Sequence, residues 1–284
     1  MYISTEISSM SKFYPAYEDR LSALKEAGFD AYDFSMFRPA TCEWIDDDGC
    51  AEKAKKLRKY ADKIGIVCNQ THAPFPLVAV GDGKKTEERF FQIVRALEIS
   101  SVLGAKLCVV HPWNNYSPEE NAVVYKRLES YAKKFGVKIA LENMWNWNKE
   151  EDHAAPAACS DADNFYAHLE LLSEDTFCAL LDIGHAEMTG LNTSAVDMIR
   201  KIGHRLEGIH LHDNDLKHDT HTLPFIRNID FTPIIATLKE VGYRGDITLE
   251  CDAFLPKLPK DIVSTALHLM AKTADYFRKE LQSC

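Results

Sequence analysis

Gly208-Ile209-His210-Leu211-His212-Asp213 is the stretch whose reading decides the fold. In a strand, successive side chains point to opposite faces, so Ile209 and Leu211 share one face while His210 and His212 share the other. The apolar face suits packing against helices. The two histidines then point inward, His212 nearer the end of the strand.

Working outward, seven more segments read as strands: residues 2–7, 29–36, 66–75, 106–113, 137–144, 177–186 and 246–252, with 206–213 seventh in order. From the third onward each carries a metal-type ligand at or near its end: His72, His111, Glu142, Asp182 with His185, His210, and Glu250. Helix-like segments with apolar residues at three- and four-residue spacing lie between strands, among them 51–64, 89–103, 122–135 and 262–281. Gly28, Gly65, Gly104, Gly136 and Gly242 fall where a helix hands over to the next strand.

An eightfold β-then-α order implies right-handed crossovers and closure, so the expected fold is α/β: a (β/α)8 TIM barrel of eight parallel strands with outer helices. An open doubly wound sheet competes, but the first β-to-α turn lacks Gly-x-Gly-x-x-Gly. No stretch reads as a linker, so residues 1–284 are expected to form one domain. The C-terminal strand ends of a barrel carry the active site, and that is where the ligand-type residues fall.

Inward parity puts Gln70 beneath His72, Val109 beneath His111, Ala140 beneath Glu142, Leu180 beneath Asp182 and Thr248 beneath Glu250. An inward carboxylate is costly unless paired or metal-bound. Glu142, Asp182, His210 and Glu250 therefore read as donors to a divalent ion, and three carboxylates with one imidazole suit Mn, Zn, Co or Mg. His185 follows Asp182 by three residues, where Gly184 would let the chain turn sharply, and His221 lies on the loop after strand seven; both are placed to reach the rim. His153, His168, His204, His218 and His268 fall on helices or polar loops and are read as solvated.

A net charge of −10 gives no general attraction to nucleic acid or anionic lipid, leaving only local basic patches open. There is no signal-like start and no membrane-length apolar run, so a cytoplasmic location is expected. The eight cysteines include no Cys-x-x-Cys pair and read as reduced, structural residues.

The segments Thr71-His72-Ala73-Pro74-Phe75, His111-Pro112-Trp113, Leu141-Glu142-Asn143, Asp182-Ile183-Gly184-His185, His210-Leu211-His212-Asp213 and Glu250 resemble the xylose isomerase-like TIM-barrel superfamily over essentially the whole chain. That group includes sugar and sugar-phosphate isomerases and epimerases, inosose-processing enzymes and the AP endonuclease family 2, or endonuclease IV-like, repair enzymes. The epimerase branch implies one metal on Glu142, Asp182, His210 and Glu250, with Glu142 and Glu250 as catalytic residues moving protons. The repair branch implies His72, His111, His185, Asp219 and His221 as additional ligands, for up to three Zn. Two features depart from these patterns. His212 stands where repair enzymes carry Asn, and Phe225-Ile226-Arg227-Asn228 replaces the sugar-enzyme Gly-x-Gly before Ile229-Asp230.

The leading expectation is a divalent-metal-dependent sugar or sugar-phosphate isomerase or epimerase acting through an enediolate. In it His185 contacts a substrate hydroxyl, Trp113, Phe75 and Trp145 pack against the sugar's carbon face, and Arg227 binds a phosphate or polar terminus. The alternative is a zinc-dependent phosphodiesterase acting on abasic DNA, with Phe75 and Pro76 as a wedge and only Arg38, Lys217 and Arg227 as basic rim groups. A sugar-binding or structural metal protein is the non-enzymatic reading. A homo-oligomer is compatible with the resemblance.

Overall fold

A computed structural model describes residues 1–37 and 42–283. The barrel strands are β1 (Ile3–Thr5), β2 (Ala31–Ser35), β3 (Val67–His72), β4 (Leu107–Val109), β5 (Lys138–Glu142), β6 (Phe177–Asp182), β7 (Leu206–Leu211) and β8 (Ile247–Leu249). All pair in parallel with their sequence neighbours from β2 round to β8, and β8 pairs with β1. The seam between β1 and β2 is the loosest, held by a bridge between Glu6 and Asp33 and by the Asp30 amide donating to the Ile3 carbonyl. The molecule is an α/β TIM barrel.

The ladders are shorter than the apolar segments because the chain leaves the sheet before those segments end. In the segment 106–113, only Leu107–Val109 stays in the ladder, and the freed residues 110–113 carry His111 and Trp113 to the rim. Residues 183–186, expected to continue β6, instead form one helical turn, Ile183–Ala186, begun by the Asp182 carboxylate accepting from the His185 amide at 2.7 Å. A hairpin absent from the sequence reading, Asn146–Asn148 paired with His153–Ala155, follows β5.

Helices Tyr17–Ala27, Cys50–Ile64, Gly83–Leu103, Pro118–Phe135, Ala162–Glu170, Ala195–Ile202, Phe231–Glu240 and Val263–Gln282 surround the sheet. Their ends follow local chemistry. Ser117 and Glu120 form a reciprocal capping box behind Pro118, and Gly65 ends Cys50–Ile64 in the left-handed region at φ 71°.

Strand parity appears directly in the packing. Ile139, Leu141, Ala179, Leu181, Ile209 and Leu211 belong to the large core under the helices, whereas Val109, Ala140, Cys178 and Leu180 form a separate cluster inside the barrel. The opposite side of the interior is polar: Ser4, Asn69, Gln70 and Thr248 are joined by hydrogen bonds. A bulge opposite Tyr32 and Asp33 adds a residue to β3, which lets both Asn69 and Gln70 reach that network. The seven described cysteines are buried and none is in a disulfide, and Cys284 lies outside the described residues. No described helix is long and apolar enough to cross a membrane.

Candidate metal centre

At the C-terminal end of the barrel, Glu142, Asp182, His210 and Glu250 offer four donor atoms within 4.8 Å of one another, all buried. His210 Nδ1 lies 2.9 Å from Glu142 Oε1 and 3.2 Å from Glu250 Oε2. Asp182 stands beside His210 as its register partner on the adjoining strand. The parity that sets Ile209 and Leu211 in the outer core thus delivers His210 to this floor.

Two further groups adjoin the first. His111 Nε2 and His72 Nε2 lie 2.9 and 3.4 Å from Glu142 Oε2, so Glu142 belongs to both groups. On the other side, His185, His212, Asp219 and His221 bring their donors within 4.8 Å. Asp219 Oδ2 is 3.2 Å from His185 Nε2 and 3.0 Å from His221 Nε2, and its Oδ1 is 3.5 Å from His212 Nε2.

The rings are held from behind. Nδ1 of His72, His185 and His221 lies 2.8, 2.9 and 2.8 Å from the carbonyls of Ala73, Asn143 and Glu250. Donation of the Nδ1 proton to those carbonyls leaves each Nε2 free toward the cluster, the arrangement a ligating imidazole needs.

Burial opposes charge on Glu142, Asp182, His185, His210, His221 and His111, yet pairing outweighs it for all but the last. Glu142 sits well below the usual carboxylate range because of His210 and His111, and Asp182 is brought to about 2 by His185 and His212. Against the same burial, His185 is raised to about 10 by Asp182 and Asp219, and His210 and His221 are also raised by facing carboxylates. His111 goes the other way, because burial outweighs its attraction to Glu142.

Above the floor lies a cavity of about 790 Å³ whose lining includes Phe37, Phe75, Trp113 and Trp145. Phe75 stacks on His111 at 4.5 Å between ring centres. Arg227 is not brought to the pocket: its side chain is exposed and its amide donates to Asp213 at 2.7 Å. Lys217 pairs with Asp152 on the outer loops, and Arg38 lies outside the described residues. Among the described lining residues there is no Lys or Arg.

Several participants escaped the sequence reading. His212 was placed inward but not among the ligands, although its ring joins the second cluster. Gly184 keeps an ordinary φ within the helical turn; a Cβ there would lie 2.5 Å from His212 Nδ1 and nearer still to Cε1 and Nε2, so its role is to admit that ring. His168, read as solvated, is buried between the Asn164 carbonyl and Asn121. Asp33 also escaped it: it lies beneath His210 with Gln70, which strand parity does place inward, and an acidic residue at an inward position of an apolar strand is the signal that marks it.

The donors present suit a divalent ion. Glu142 Oε2, Asp182 Oδ2, Asp219 Oδ1 and both nitrogens of His212 are buried without a hydrogen-bond partner, which is costly in a low-dielectric interior and is relieved by a cation.

The chain belongs to the xylose isomerase-like TIM barrel family, whose profile matches residues 21–273. It is 28% identical to an uncharacterised protein of Methanocaldococcus jannaschii over 63% of this chain and 62% of that one. It is 24% identical to an inosose dehydratase of Erwinia tasmaniensis over 61% and 66% respectively. The match thus spans less than two thirds of either relative's length. A crystal structure of a D-psicose 3-epimerase in the presence of D-fructose superposes with a TM-score of 0.74 at 13% identity, covering 100% of both chains.

Proposed function

From its membership of the xylose isomerase-like TIM barrel family, we propose that this protein is a divalent-metal-dependent isomerase or epimerase acting on a sugar or sugar derivative. The reaction moves a proton at a carbon beside a carbonyl, through an enediolate. The observation carrying this reading is that Glu142 and Glu250 reach the same His210 nitrogen from different strands at the cavity floor. The similarity to a sugar epimerase and to an inosose dehydratase supports it.

Glu142, Asp182, His210 and Glu250 would hold the ion, one of Mn, Zn, Co or Mg. A divalent ion supplies Lewis acidity to the substrate's carbonyl oxygen. Glu250 removes a proton from one face of the substrate, and Glu142, ionised in the free protein, must enter the cycle protonated to return one to the other. His185 Nε2, at the pocket wall, hydrogen-bonds a substrate hydroxyl. Phe75, Trp113 and Trp145 cover the carbon face and exclude water.

The test is solvent exchange. Metal-loaded protein incubated with a panel of ketoses in D₂O is expected to place deuterium at one carbon, and Glu250→Gln to slow this by about 10²–10⁴-fold. Exchange unaffected by that change would refute the assignment.

A second reading is favoured by one observation: His72 and His111 crowd Glu142 while four more donors gather at Asp219, giving groups for up to three ions. This suits a zinc-dependent phosphodiesterase of the endonuclease IV type. The acidic chain and the absence of Lys or Arg among the described lining residues count against a DNA backbone. Nicking of an abasic duplex with no exchange on any sugar, together with about three zinc ions per chain, would move the assignment to it.

A further inference from the structure

Past β4 the chain runs up to the rim without a strand partner. The Val110 amide, donating to the Ala140 carbonyl at 3.0 Å, makes the segment's last backbone hydrogen bond to a barrel strand among the described residues. Residues 111–116 then carry His111 and Trp113 to the cavity, and their backbone polar groups need partners from elsewhere. One side chain supplies three of them. Asn121, fully buried in the first turn of helix Pro118–Phe135, accepts from the Trp113 amide through Oδ1 at 2.9 Å. Its Nδ2 lies 3.2 and 3.4 Å from the carbonyls of Trp113 and Tyr116.

The Trp113 N–H can only donate, so it fixes which end of the Asn121 amide faces it and turns Nδ2 toward His168 Nε2, 3.1 Å away. That ring nitrogen must accept. The proton of the neutral imidazole is then on Nδ1, which donates to the Asn164 carbonyl at 2.8 Å. Backbone groups at the two ends of the chain of contacts thus dictate one and the same tautomer. His168 is buried on helix Ala162–Glu170, and burial pushes its imidazole below the ordinary value against the opposing pulls of the Asn164 carbonyl and Glu119, which keeps the ring neutral. Neither Asn121 nor His168 lines the cavity.

We infer that Asn121, oriented by His168, is a positioning residue that pins the rim segment 111–116 and so holds the Trp113 indole on the cavity wall for the substrate. An aromatic wall that is already in place when the substrate arrives costs no ordering at the moment of binding. The far side of the segment is tied separately, since the Asn114 carbonyl accepts from the Ala158 amide and the Asn114 side chain donates to the Trp145 carbonyl, each at 2.9 Å. The Trp113 amide depends on Asn121. The inference rests on the reading of this cavity as a sugar site, and adds a pair outside it that sets one of its walls.

The test compares full-length wild type with Asn121→Leu, His168→Leu and His168→Gln, the last keeping an oxygen that can accept in place of Nε2. Amide hydrogen exchange at Trp113 is read by NMR on zinc-loaded protein. Uptake of deuterium from D₂O into D-fructose and the other ketoses of the panel gives kcat and KM. Asn121→Leu is expected to speed exchange at Trp113 by about tenfold or more, because the bond protecting that amide has gone. It should raise KM by about 2–10-fold with kcat unchanged, the pattern of lost binding shared by ground and transition states. His168→Leu should move both readouts the same way by less, and His168→Gln should bring both back toward wild type. Should Asn121→Leu fail to fold, the two His168 variants decide the matter by the same readouts. A folded Asn121→Leu protein with wild-type exchange at Trp113, or with faster exchange and a wild-type KM, overturns the inference even if its melting temperature falls. Wild type that labels no ketose overturns the sugar reading instead, and the Trp113 amide in the variants still tells whether the segment is pinned.

Discussion

Replacing Gly184 by alanine sets two physical effects against each other, and the structure decides which wins. Gly184 lies in the helical turn Ile183–Ala186 with an ordinary φ, so propensity alone favours alanine there by about 1 kcal/mol. The added Cβ would meet the His212 ring, with Nδ1 at 2.5 Å and two further ring atoms closer. That ring is fully buried, so it cannot move out into solvent. Contacts this short put the overpacking cost at the upper end of about 1–3 kcal/mol, leaving a net loss of roughly 2 kcal/mol after the propensity gain. For a domain of this size each kcal/mol moves the melting temperature by about 2–4 °C, so Gly184→Ala should melt several degrees lower.

The assay is thermal unfolding of the chelator-treated protein, run as a double-mutant cycle with His212→Ala. Removing the ring removes the clash, so Gly184→Ala should be neutral or stabilising in the His212→Ala background. Two results would refute the reasoning: a Gly184→Ala protein as stable as wild type, or a loss of the same size with and without the imidazole. The second would mean that the alanine disturbs the turn or the Asp182 cap and not the ring.

Other consequences follow from the same geometry. His210 and His221 are held well above the usual histidine range and His185 at about 10, so ion binding to them must displace protons. Affinity should rise with pH, and calorimetry in buffers of different ionisation enthalpy should report proton release at neutral pH. In metal-free protein the His185 contribution to stability is fully present below the unfolded value of 6.5 and is lost as pH rises through about 10, so the urea midpoint should fall between these limits. Arg205, only 4% exposed, donates to the carbonyls of Leu169, Leu172 and Phe177 at 3.1, 3.3 and 3.0 Å. Arg205→Met should cost about 3 kcal/mol or more by orphaning them, measured by denaturant unfolding, without changing the metal count.

The barrel was readable because its signals are local and redundant. The alternation in Ile209-His210-Leu211-His212 survives in the packing, with the apolar pair in the outer core and both rings inside. Glycines at the helix ends kept their left-handed role at Gly28, Gly65, Gly104 and Gly136. What could not be read depends on through-space geometry. The rim residues of each strand look as strand-like as the ladder itself, since leaving the sheet costs no change in composition. The hairpin Asn146–Asn148 with His153–Ala155 reads as a polar loop, because its stabilising partners, such as the Asn114 side chain on the Trp145 carbonyl, lie elsewhere in the chain. Asp33 and Gln70 carry no end-of-strand signature, and a bulge invisible to alternation brings them together. Arg227 shows the converse: proximity in sequence to the strand-seven motif did not bring its side chain to the cavity.

The unsatisfied atoms make the strongest argument about what the fold is built to accommodate. Of the ten buried side-chain atoms without a hydrogen-bond partner among the described residues, six belong to Asp33, Glu142, Asp182, His212 and Asp219, all in or directly below the three donor groups. Each such atom forfeits about 1–3 kcal/mol, a burden that folded proteins rarely gather in one place. Protonated histidines offset part of it, which is why Glu142, Asp182 and Asp219 remain ionised despite burial. Glu142 Oε2 lies 2.9 Å from His111 Nε2 yet makes no aligned hydrogen bond with it, so protons satisfy this site poorly. A cation makes fewer directional demands and meets several oxygens and nitrogens at once. Addition of Zn²⁺ or Mn²⁺ at 100 times its dissociation constant should therefore stabilise the fold by about 2.7 kcal/mol, and a chelator should reverse the shift. A melting temperature indifferent to every divalent ion would mean that the misaligned groups serve some purpose other than holding metal.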